Sequence, residues 1–271
     1  MAIWAIRGPV GSAKSTFANS FPGKKMWFDL ERGAHRAWGF DGGDSTIWQP
    51  ETKLDVQNLR QNLLFSRGDR IMGRRKSWED ITSKYFEVIV GNEYSVIIFD
   101  TAKEAWTINH QSSLEEKQDQ QEEDAKRQGK EVDRWRQNLQ PIEYATPNSR
   151  MDSLITIARA AGKHLVLLNH ERDIYGPRMT ADGRVLTNPD GSPQMEPTGE
   201  KELDGYRHTL DLADWVLATR QVLVGGEVQR FEATILKSPV GADLVGKSLP
   251  NPSYEVLTKY VEAMGRKAPG L

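Results

Sequence analysis

The sequence predicts an α/β fold, with a mainly parallel central sheet flanked by helices and antiparallel strands at one edge. Short apolar runs rich in β-branched and aromatic residues predict strands at residues 2–6, 25–28, 96–99, 164–168, 215–219, 222–224 and 231–237. Helical patterns lie between several of them, at residues 15–20, 56–65, 78–87, 150–161 and 252–263. Alternating strands and helices are typical of a parallel sheet, whereas the last strands follow one another without a helix, which indicates an antiparallel edge.

Length and composition set limits on the class of protein. The 271 residues have a formal net charge of −2, and we expect them to form one domain over residues 1–271 with a sizeable core. The absence of cysteine excludes disulfides and cysteine-ligated metals, and the histidines at 35, 110, 164, 170 and 208 show no metal-ligand spacing. No apolar run reaches the roughly 18 residues of a spanning helix, and the N-terminus lacks the order of a signal peptide. A cytoplasmic location is therefore expected.

The segment after the first predicted strand has the spacing of a phosphate-binding loop. It consists of Gly8, Pro9, Val10, Gly11, Ser12, Ala13, Lys14, Ser15 and Thr16, and it follows G-x-x-x-x-G-K-[ST] at every fixed position but one. In such a loop, backbone N–H groups and a helix N-terminus surround the phosphates of ATP, and the lysine reaches the β and γ oxygens. We expect nucleotide binding at this phosphate loop (residues 8–16). A glycine- and serine-rich turn is the alternative.

The one departure from the pattern is Ala13, which stands where the last glycine belongs. This position begins a helix, where a negative φ is normal, so we expect the methyl group to be tolerated. Gly11 remains at the position where a positive φ is needed. The sequence therefore supports ATP binding more directly than ATP hydrolysis.

A second apolar run, residues 96–99, ends at Asp100. An acidic residue at the end of a neighbouring strand is what a phosphate loop needs to hold Mg²⁺ together with the loop hydroxyl, here that of Ser15. The alternative is an aspartate that caps a turn or a helix. We expect Ser15 and Asp100 to form the metal site.

The residue after Asp100 is Thr101 and not a glutamate, so the base that activates water must lie elsewhere. Glu31 follows the strand predicted at 25–28 and is the candidate for this role. A surface glutamate in an ion pair is the alternative. Asp29 is expected on the opposite face of the same strand.

A third strand, at residues 164–168, ends in Asn169 and His170. Polar residues at the carboxyl end of a central strand face the ligand crevice in open α/β sheets. We expect His170 or Asn169 to sense the γ-phosphate, unless His170 is an ordinary loop histidine.

Two segments interrupt the alternation. Residues 103–148 form a charged insertion that is predicted to be helical, and its part from 115 to 136 holds eight acidic and six basic residues. A solvated helix or a mobile insertion is the simplest interpretation. Residues 171–205 are rich in glycine and proline, which indicates a long mobile loop or a hairpin.

The ordered set of motifs resembles the RecA-like branch of P-loop ATPases. The set consists of the phosphate loop, Phe28-Asp29-Leu30-Glu31, Asp100-Thr101, and Asn169-His170 ahead of the loop at 171–205. The likeness is to small phage-encoded RecA-like ATPases associated with single-strand annealing, the Sak type. It spans residues 1 to about 240.

The resemblance implies a RecA-like fold and an ATPase that uses ATP and Mg²⁺. It assigns catalytic roles to Lys14, Glu31 and Asp100, and it places His170 where the family has a glutamine. It also nominates Lys237, at the end of the strand predicted at 231–237, as a charge-stabilising finger that acts on the nucleotide of a neighbouring subunit. Expected partners are single-stranded DNA, further copies in a ring or filament, and a phage annealing or single-strand-binding protein in the host bacterial cytoplasm.

Two groups of cations are candidates for DNA contact. The first is Arg67, Arg70, Arg74, Arg75 and Lys76, and the second, within residues 171–205, includes Arg172 and Arg178. Cations that follow a phosphate backbone suit single-stranded DNA, and Trp78 beside the first group offers a ring for stacking. A solvated basic loop is the alternative.

The predicted function is a single-stranded-DNA-dependent ATPase in phage-type recombination, single-strand annealing or replication. Two other classes remain open. One is an ATP-gated binding or assembly module that hydrolyses weakly, and the other is a P-loop phosphotransferase that acts on a small molecule.

Overall fold

The structure of the protein is a computed structural model that describes residues 1–37, 43–50, 70–180 and 182–267. The helix predicted at 56–65 and the candidate DNA contact Arg67 lie outside the described residues. Within them, nine strands belong to one sheet system. They are β1 (Ile3–Arg7), β2 (Lys25–Asp29), β3 (Ser45–Trp48), β4 (Val96–Asp100), β5 (His164–Pro177), β6 (Met195–Asp204), β7 (Trp215–Val224), β8 (Glu227–Lys237) and β9 (Ser248–Pro250).

The strand order is β3-β2-β4-β5-β1-β7-β8-β9. The strands from β3 to β7 in this order pair in parallel, whereas β8 and β9 add to one edge in antiparallel pairs. The predicted fold class is confirmed. Two details were wrong: residues 215–224 form one strand instead of two, and β3 was missed because its four partly exposed residues make no long apolar run.

Helices cover both faces of the sheet. The described α-helices are α1 (Lys14–Asn19), α2 (Arg74–Val90), α3 (Ala102–Arg127), α4 (Ala145–Ala160), α5 (Thr209–Leu212) and α6 (Tyr254–Ala263). Apolar side chains of α2, α3 and α4 form a core on one face, and those of α1 and α6 form a core on the other. In the described part of the chain, no helix has both the length and the apolar character needed to cross a membrane.

The alternation of side chains along the central strands builds the two cores. In β1, Ile3 and Ala5 face the α2–α3–α4 side, whereas Trp4 and Ile6 face α1 and α6. Trp4 stacks on Trp215 of β7 with ring centroids 5.2 Å apart. Because both faces of β1 and β4 are covered, these strands are apolar until the polar residue at which each ends, Arg7 and Asp100.

The long strand β5 leaves the main sheet after Asn169 and pairs with β6 in an antiparallel hairpin. We call residues 170–204 the β5–β6 arm; residue 181 within it is not described. The segment at 171–205 thus has the hairpin form. The arm projects from the edge at which the parallel strands have their carboxyl ends.

The charged helix α3 packs on the rest of the chain along its first part, whereas residues 119–136 of the predicted charged insertion are partly or fully exposed. Its inner face is buried although it is polar: Asn109, Ser112 and Gln118 are fully buried. The side-chain amide of Gln118 accepts from the backbone N–H of Ile71 at 2.8 Å and donates to the carbonyl of Arg136 at 2.8 Å. Buried amides can replace an apolar stripe where they satisfy irregular backbone on both sides.

Candidate nucleotide-binding site

The candidate site lies at the edge where β1, β2, β4 and β5 end. The strand register places Asp29 beside Asp100 and Arg7 beside Asn169, so that the segments after these strands meet. The phosphate loop follows β1 and leads into α1. Ligands of open α/β sheets bind in this crevice.

Lys14 lies inside the phosphate loop. Its ammonium donates to the carbonyl oxygens of Gly8 and Pro9, both at 2.7 Å, and its side chain is buried. Burial lowers the pKa of Lys14, although three nearby carboxylates oppose this shift. The ammonium thus lies inside the phosphate loop, where the phosphate oxygens of a nucleotide would compete with these two carbonyl oxygens for its hydrogen bonds.

Ala13 has φ 65° and ψ 24°, which is the left-handed region. The expectation of a negative φ at this position was wrong. The backbone turns sharply from the loop into α1, and this turn uses a left-handed residue just before the first helical residue. Gly11, with φ 77°, has the positive φ that was expected.

Ser15 and Asp100 form the candidate metal site. The Ser15 hydroxyl donates to Asp100 Oδ2 at 3.0 Å. Burial is the largest cause that raises the pKa of Asp100, to about 6, and the charges of Asp29 and Glu31 raise it further. A buried carboxylate and a hydroxyl beside a phosphate cradle are oxygen ligands that suit Mg²⁺, so the residues present fit this ion.

Glu31 lies across the crevice with both carboxylate oxygens bonded. Thr101 donates to Oε1 at 2.7 Å, and His170 Nε2 lies 3.1 Å from Oε2. The turn that carries Glu31 is held by buried Asp29, which accepts from Gly33 N at 2.8 Å. The structure therefore brings Glu31 and His170 together, as candidates for base and sensor, and adds Thr101 to them.

Asn169 is fully buried at the end of the sheet portion of β5. Its Nδ2 donates to the carbonyl of Leu167 at 3.1 Å, and its Oδ1 has no hydrogen-bond partner among the described residues. Gly205 lies against this oxygen, since a Cβ there would be 3.2 Å from it. An unsatisfied buried amide oxygen at the crevice is consistent with a contact to ligand or water.

Lys237 does not join the site within this chain. It pairs in register with Val216, which lies beside Ala5 in β1, so it is several residues away from the carboxyl edge of the sheet. Its ammonium donates to the carbonyls of Leu210 at 3.0 Å and Asp211 at 2.9 Å. A role towards a neighbouring subunit would require these bonds to break.

Side chains of β7 also contact the phosphate loop, and sequence reasoning missed them. Thr219 contacts Ser12, and Gln221 contacts Gly11. No motif marks these residues, because their position depends on the pairing of β7 with β1. Further along, Arg220 and Arg230 lie at the same end and share the carboxylate of Glu232.

The first group of candidate DNA-binding cations is not an open basic patch. Arg70 binds Asp119 and Glu122 and lies 5.0 Å from the centroid of the Trp135 ring, and Arg75 binds Asp119 at 2.9 Å. Lys76 pairs with Asp80, and the charge of Arg74 acts on Glu104. The acidic residues of α3 account for most of this pairing.

The cations of the β5–β6 arm are also paired. Arg172 binds Glu202 at 2.8 Å, and Arg178 lies 3.7 Å from Glu196. The arm carries four cations and eight carboxylates, which gives it a formal charge of −4. A phosphate backbone would therefore have to displace carboxylates from the arm's arginines.

A β-sheet with this order, helices on both faces and a phosphate loop after β1 defines a P-loop NTPase. The family model described as an AAA domain matches residues 2–185, well over half of the chain. The chain belongs to this family, and the predicted RecA-like P-loop fold is confirmed. The matched region ends within the β5–β6 arm, so β7, β8 and β9 lie beyond it. A search of curated proteins found no match.

Membership of this family indicates a nucleotide-binding ATPase, and such ATPases ordinarily bind the nucleotide with Mg²⁺. The geometry of the phosphate loop, Ser15 and Asp100 agrees with that class.

Proposed function

We propose that this chain is a Mg²⁺-dependent ATPase whose hydrolysis is coupled to single-stranded DNA. The observation that carries the ATPase part is the convergence of Lys14, Asp100 and Glu31 at one sheet edge from three separate strands. A nucleotide-binding loop alone supports binding, whereas an oriented carboxylate opposite the loop supplies a base for hydrolysis.

The binding part of the proposal assigns the phosphates to the phosphate loop. Backbone N–H groups at the start of α1 and the ammonium of Lys14 face the β- and γ-phosphates. Ser15 and Asp100 would hold Mg²⁺, which supplies charge neutralisation at the phosphate oxygens when bound. Occupancy of this site compensates the buried carboxylate of Asp100.

The hydrolytic part of the proposal gives Glu31 the role of general base. Thr101 fixes Oε1, which leaves Oε2 as the oxygen that takes a proton from the attacking water. His170 contacts this same oxygen. The Glu31 side chain is 39% exposed and each carboxylate oxygen can accept a second bond, so water shares Oε2 with His170, and the bond to His170 competes with the attacking water.

The DNA part of the proposal rests on the resemblance to RecA-like annealing-associated ATPases and on how the β5–β6 arm is attached. Its base is bonded to the site through His170 and through Arg7, which lies 3.3 Å from Glu171 and donates to the carbonyl of Lys201 at 3.0 Å. The arm also exposes the ring of Tyr175, which is 56% accessible and can stack on a base. A ligand that shifts the arm would shift His170 away from Glu31.

We further propose that the chain assembles into a ring or filament and acts with a phage annealing or single-strand-binding protein in recombination, annealing or replication. The resemblance supports this biological setting. A second candidate is an ATP-gated module that hydrolyses weakly. The observation that favours it is the hydrogen bonding of both Glu31 oxygens, one to Thr101 and one to His170, since each bond competes with water for a carboxylate whose side chain is 39% exposed.

The test is ATP hydrolysis with and without single-stranded DNA, with oligomer mass measured in parallel. We expect DNA to stimulate hydrolysis, Lys14→Ala to abolish ATP binding, and Glu31→Gln to retain binding while kcat falls about 10²-fold or more. Glu93→Gln is the matched control, since Glu93 is an exposed glutamate that pairs with Lys24. It should hydrolyse ATP at the wild-type rate.

Each part of the proposal can fail separately. Hydrolysis at the wild-type rate by Glu31→Gln removes that residue as the base, and ATP binding by Lys14→Ala removes the assigned site. Tight ATP binding without hydrolysis, with or without DNA, supports the gated module. Hydrolysis that is indifferent to DNA removes the DNA part.

A further inference from the structure

The phosphate loop is held from one side by β7, the strand next to β1. Arg7 at the end of β1 pairs in register with Ala218, so β7 continues past the point where β1 ends. The next residues of β7, Thr219 to Gln221, therefore run alongside the loop. Because side chains alternate, Thr219 and Gln221 share one face, which is the face that carries α1.

Thr219 contacts the loop through a chain of hydroxyl groups. Its Oγ1 lies 2.7 Å from Ser12 Oγ, and Ser12 Oγ donates to the carbonyl of Pro9 at 2.8 Å. Both hydroxyls are almost fully buried. Either hydroxyl can donate across this contact, and Thr219 Oγ1 can also donate to the carbonyl of Arg7 at 3.2 Å, so the two hydroxyls connect Pro9 to β7 and to the end of β1.

The loop approaches this strand too closely for any side chain at its first residue. A Cβ on Gly8 would lie 2.4 Å from the carbonyl oxygen and 2.5 Å from the hydroxyl of Thr219. Glycine at position 8 therefore serves the contact with Thr219, and the hydroxyl of Thr219 packs directly on the loop backbone.

Gln221 contacts the loop further along, at Gly11. Its Nε2 donates to the carbonyl of Gly11 at 2.9 Å. Together with the bonds of Lys14 and Ser12, this engages the carbonyl oxygens of Gly8, Pro9 and Gly11. Carbonyl oxygens carry partial negative charge and repel phosphate. When donors bind these oxygens, the groups of the loop that face the phosphate are its backbone N–H groups.

We propose that Thr219 and Gln221 are positioning residues that hold the phosphate loop in its phosphate-accepting shape. This inference deepens the proposed ATP site and rests on it. The ligand class is a nucleoside di- or triphosphate, recognised through its β-phosphate by a loop whose geometry β7 fixes in advance. Preorganisation of this kind acts on affinity, since it removes an ordering step from binding.

The test is the dissociation constant for Mg·ATP and Mg·ADP, measured by titration calorimetry, together with kcat at saturating ATP. Thr219→Val keeps the shape of the side chain and removes the hydroxyl. We expect it to raise both dissociation constants about tenfold, because a buried hydroxyl loses its partner, and to leave kcat nearly unchanged. Thr219→Ser should restore affinity to within about twofold of wild type. Gln221→Met, at an exposed position that cannot disrupt folding, should weaken binding in the same direction.

Thr234→Val is the matched control. Thr234 is a threonine of the neighbouring strand β8 whose hydroxyl contacts Ser248 Oγ at 3.0 Å, away from the loop. It should bind both nucleotides like wild type. The inference is overturned if Thr219→Val and Gln221→Met both bind like wild type, or if Thr219→Ser binds as weakly as Thr219→Val, since the hydroxyl then has no part in binding.

Failure of the inference is distinguishable from failure of the proposed function. If wild type binds no nucleotide, or if Lys14→Ala binds like wild type, the ATP site itself is wrong. If Lys14→Ala loses binding while the β7 variants keep it, the ATP site stands and only the role of β7 is rejected. Thermal unfolding of each nucleotide-free variant identifies losses that come from a damaged fold.

Discussion

At the scale of single residues, Ala13 has a left-handed backbone conformation that is unfavourable for a residue with a Cβ. An L-residue with a Cβ in the left-handed region is about 1–2 kcal/mol less stable than in the right-handed one, and glycine avoids this penalty. Ala13 stands at the one position where the phosphate-loop pattern has glycine and this chain does not. The loop therefore carries strain next to Lys14.

Ala13→Gly should stabilise the protein. Relief of the left-handed alanine outweighs the extra flexibility of glycine in the unfolded chain, and we expect a gain of about 0.5–1 kcal/mol in the free energy of unfolding in urea. Ala161→Gly is the control, because Ala161 ends α4 with φ −78° and has no such strain. A loss of stability in Ala13→Gly as large as in the control would contradict the assignment.

Asp100→Asn should raise the free energy of unfolding and abolish ATP hydrolysis. The pKa of Asp100 is raised to about 6, against an ordinary value of 3.8, so the ionised carboxylate destabilises the nucleotide-free fold above pH 4. At pH 7 this amounts to roughly 3 kcal/mol, and the neutral amide should recover much of it while ATP hydrolysis is lost. Urea unfolding at pH 7 and pH 4 measures the effect, which should shrink at the lower pH.

Asp29→Asn is the control for that variant. Asp29 is equally buried, but its carboxylate accepts from Gly33 N and from Gln49 Nε2. Its amide variant should be destabilised. If Asp100→Asn is also destabilised at pH 7, the ionised carboxylate of Asp100 does not destabilise the nucleotide-free fold, and the prediction is wrong.

Local sequence was sufficient to predict that Lys14, Ser15 and Asp100 lie together, because each belongs to a motif that is contiguous or ends an apolar strand. Thr219 and Gln221 could not be predicted in this way. They reach the phosphate loop only because β7 pairs with β1, and that pairing joins residues more than 200 positions apart. The left-handed φ of Ala13 was also missed, since sequence shows the residue type but not the turn.

At the scale of elements, α3 organises the start of α2. The Glu115 carboxylate accepts from the backbone N–H groups of Gly73 at 2.9 Å and Arg75 at 2.7 Å. It therefore acts as the cap that the N-terminus of α2 lacks in its own sequence, where no side chain makes a capping bond. Arg70 and Arg75, two of the cations that suggested a DNA patch, form ion pairs with the same helix.

Glu115→Ala should uncap α2. Two backbone donors lose a charged acceptor, and we expect a loss of about 1 kcal/mol in the free energy of unfolding. Glu123→Ala is the control on the same helix, because Glu123 is exposed and lies 3.7 Å from Arg127 in a single surface pair. It should unfold like wild type. Equal stability of the two variants would show that the cap is unimportant.

The elements differ in how far sequence determines them. The central strands were predicted because both their faces are buried and their residues are apolar throughout. The packing of α3 was missed because its buried face is built from Asn109, Ser112 and Gln118, and a polar face looks solvated when its hydrogen-bond partners are unknown. The partners of Gln118, at Ile71 and Arg136, lie in irregular segments that no periodicity reveals, and Asn109 donates to the carbonyl of Pro147.

At the scale of the whole molecule, stability in acid depends on a buried histidine at the start of β5. His164 Nδ1 accepts from the indole of Trp4 at 3.3 Å, and the ring lies against Phe21 and Tyr254. Burial lowers the pKa of His164 to about 4, and the amino-terminal charge adds to the shift. A histidine that stays neutral in the fold opposes folding once the unfolded chain can take up a proton.

The free energy of unfolding should fall between pH 6.5 and pH 4 by about 1.4 kcal/mol per pH unit from this group. Above pH 6.5 both states are neutral, and below pH 4 both are protonated, so the loss is confined to this window. As the pH falls from 6 to 3.8, protonation of Asp100 raises the free energy of unfolding and so opposes the effect of His164. The measurement is therefore made in the Asp100→Asn background, with and without His164→Gln. A pH profile that His164→Gln leaves unchanged would contradict the prediction.

The central place of β1 has a consequence for how the chain folds. Ile3 pairs with Leu165 and Trp4 with Trp215, so β1 is synthesised well before both of its neighbours in the sheet. Such distant contacts slow folding and leave an apolar strand unpaired meanwhile. Since β7 contacts the phosphate loop, these contacts form only after Gln221 has been synthesised, when β8 and β9 are still to follow.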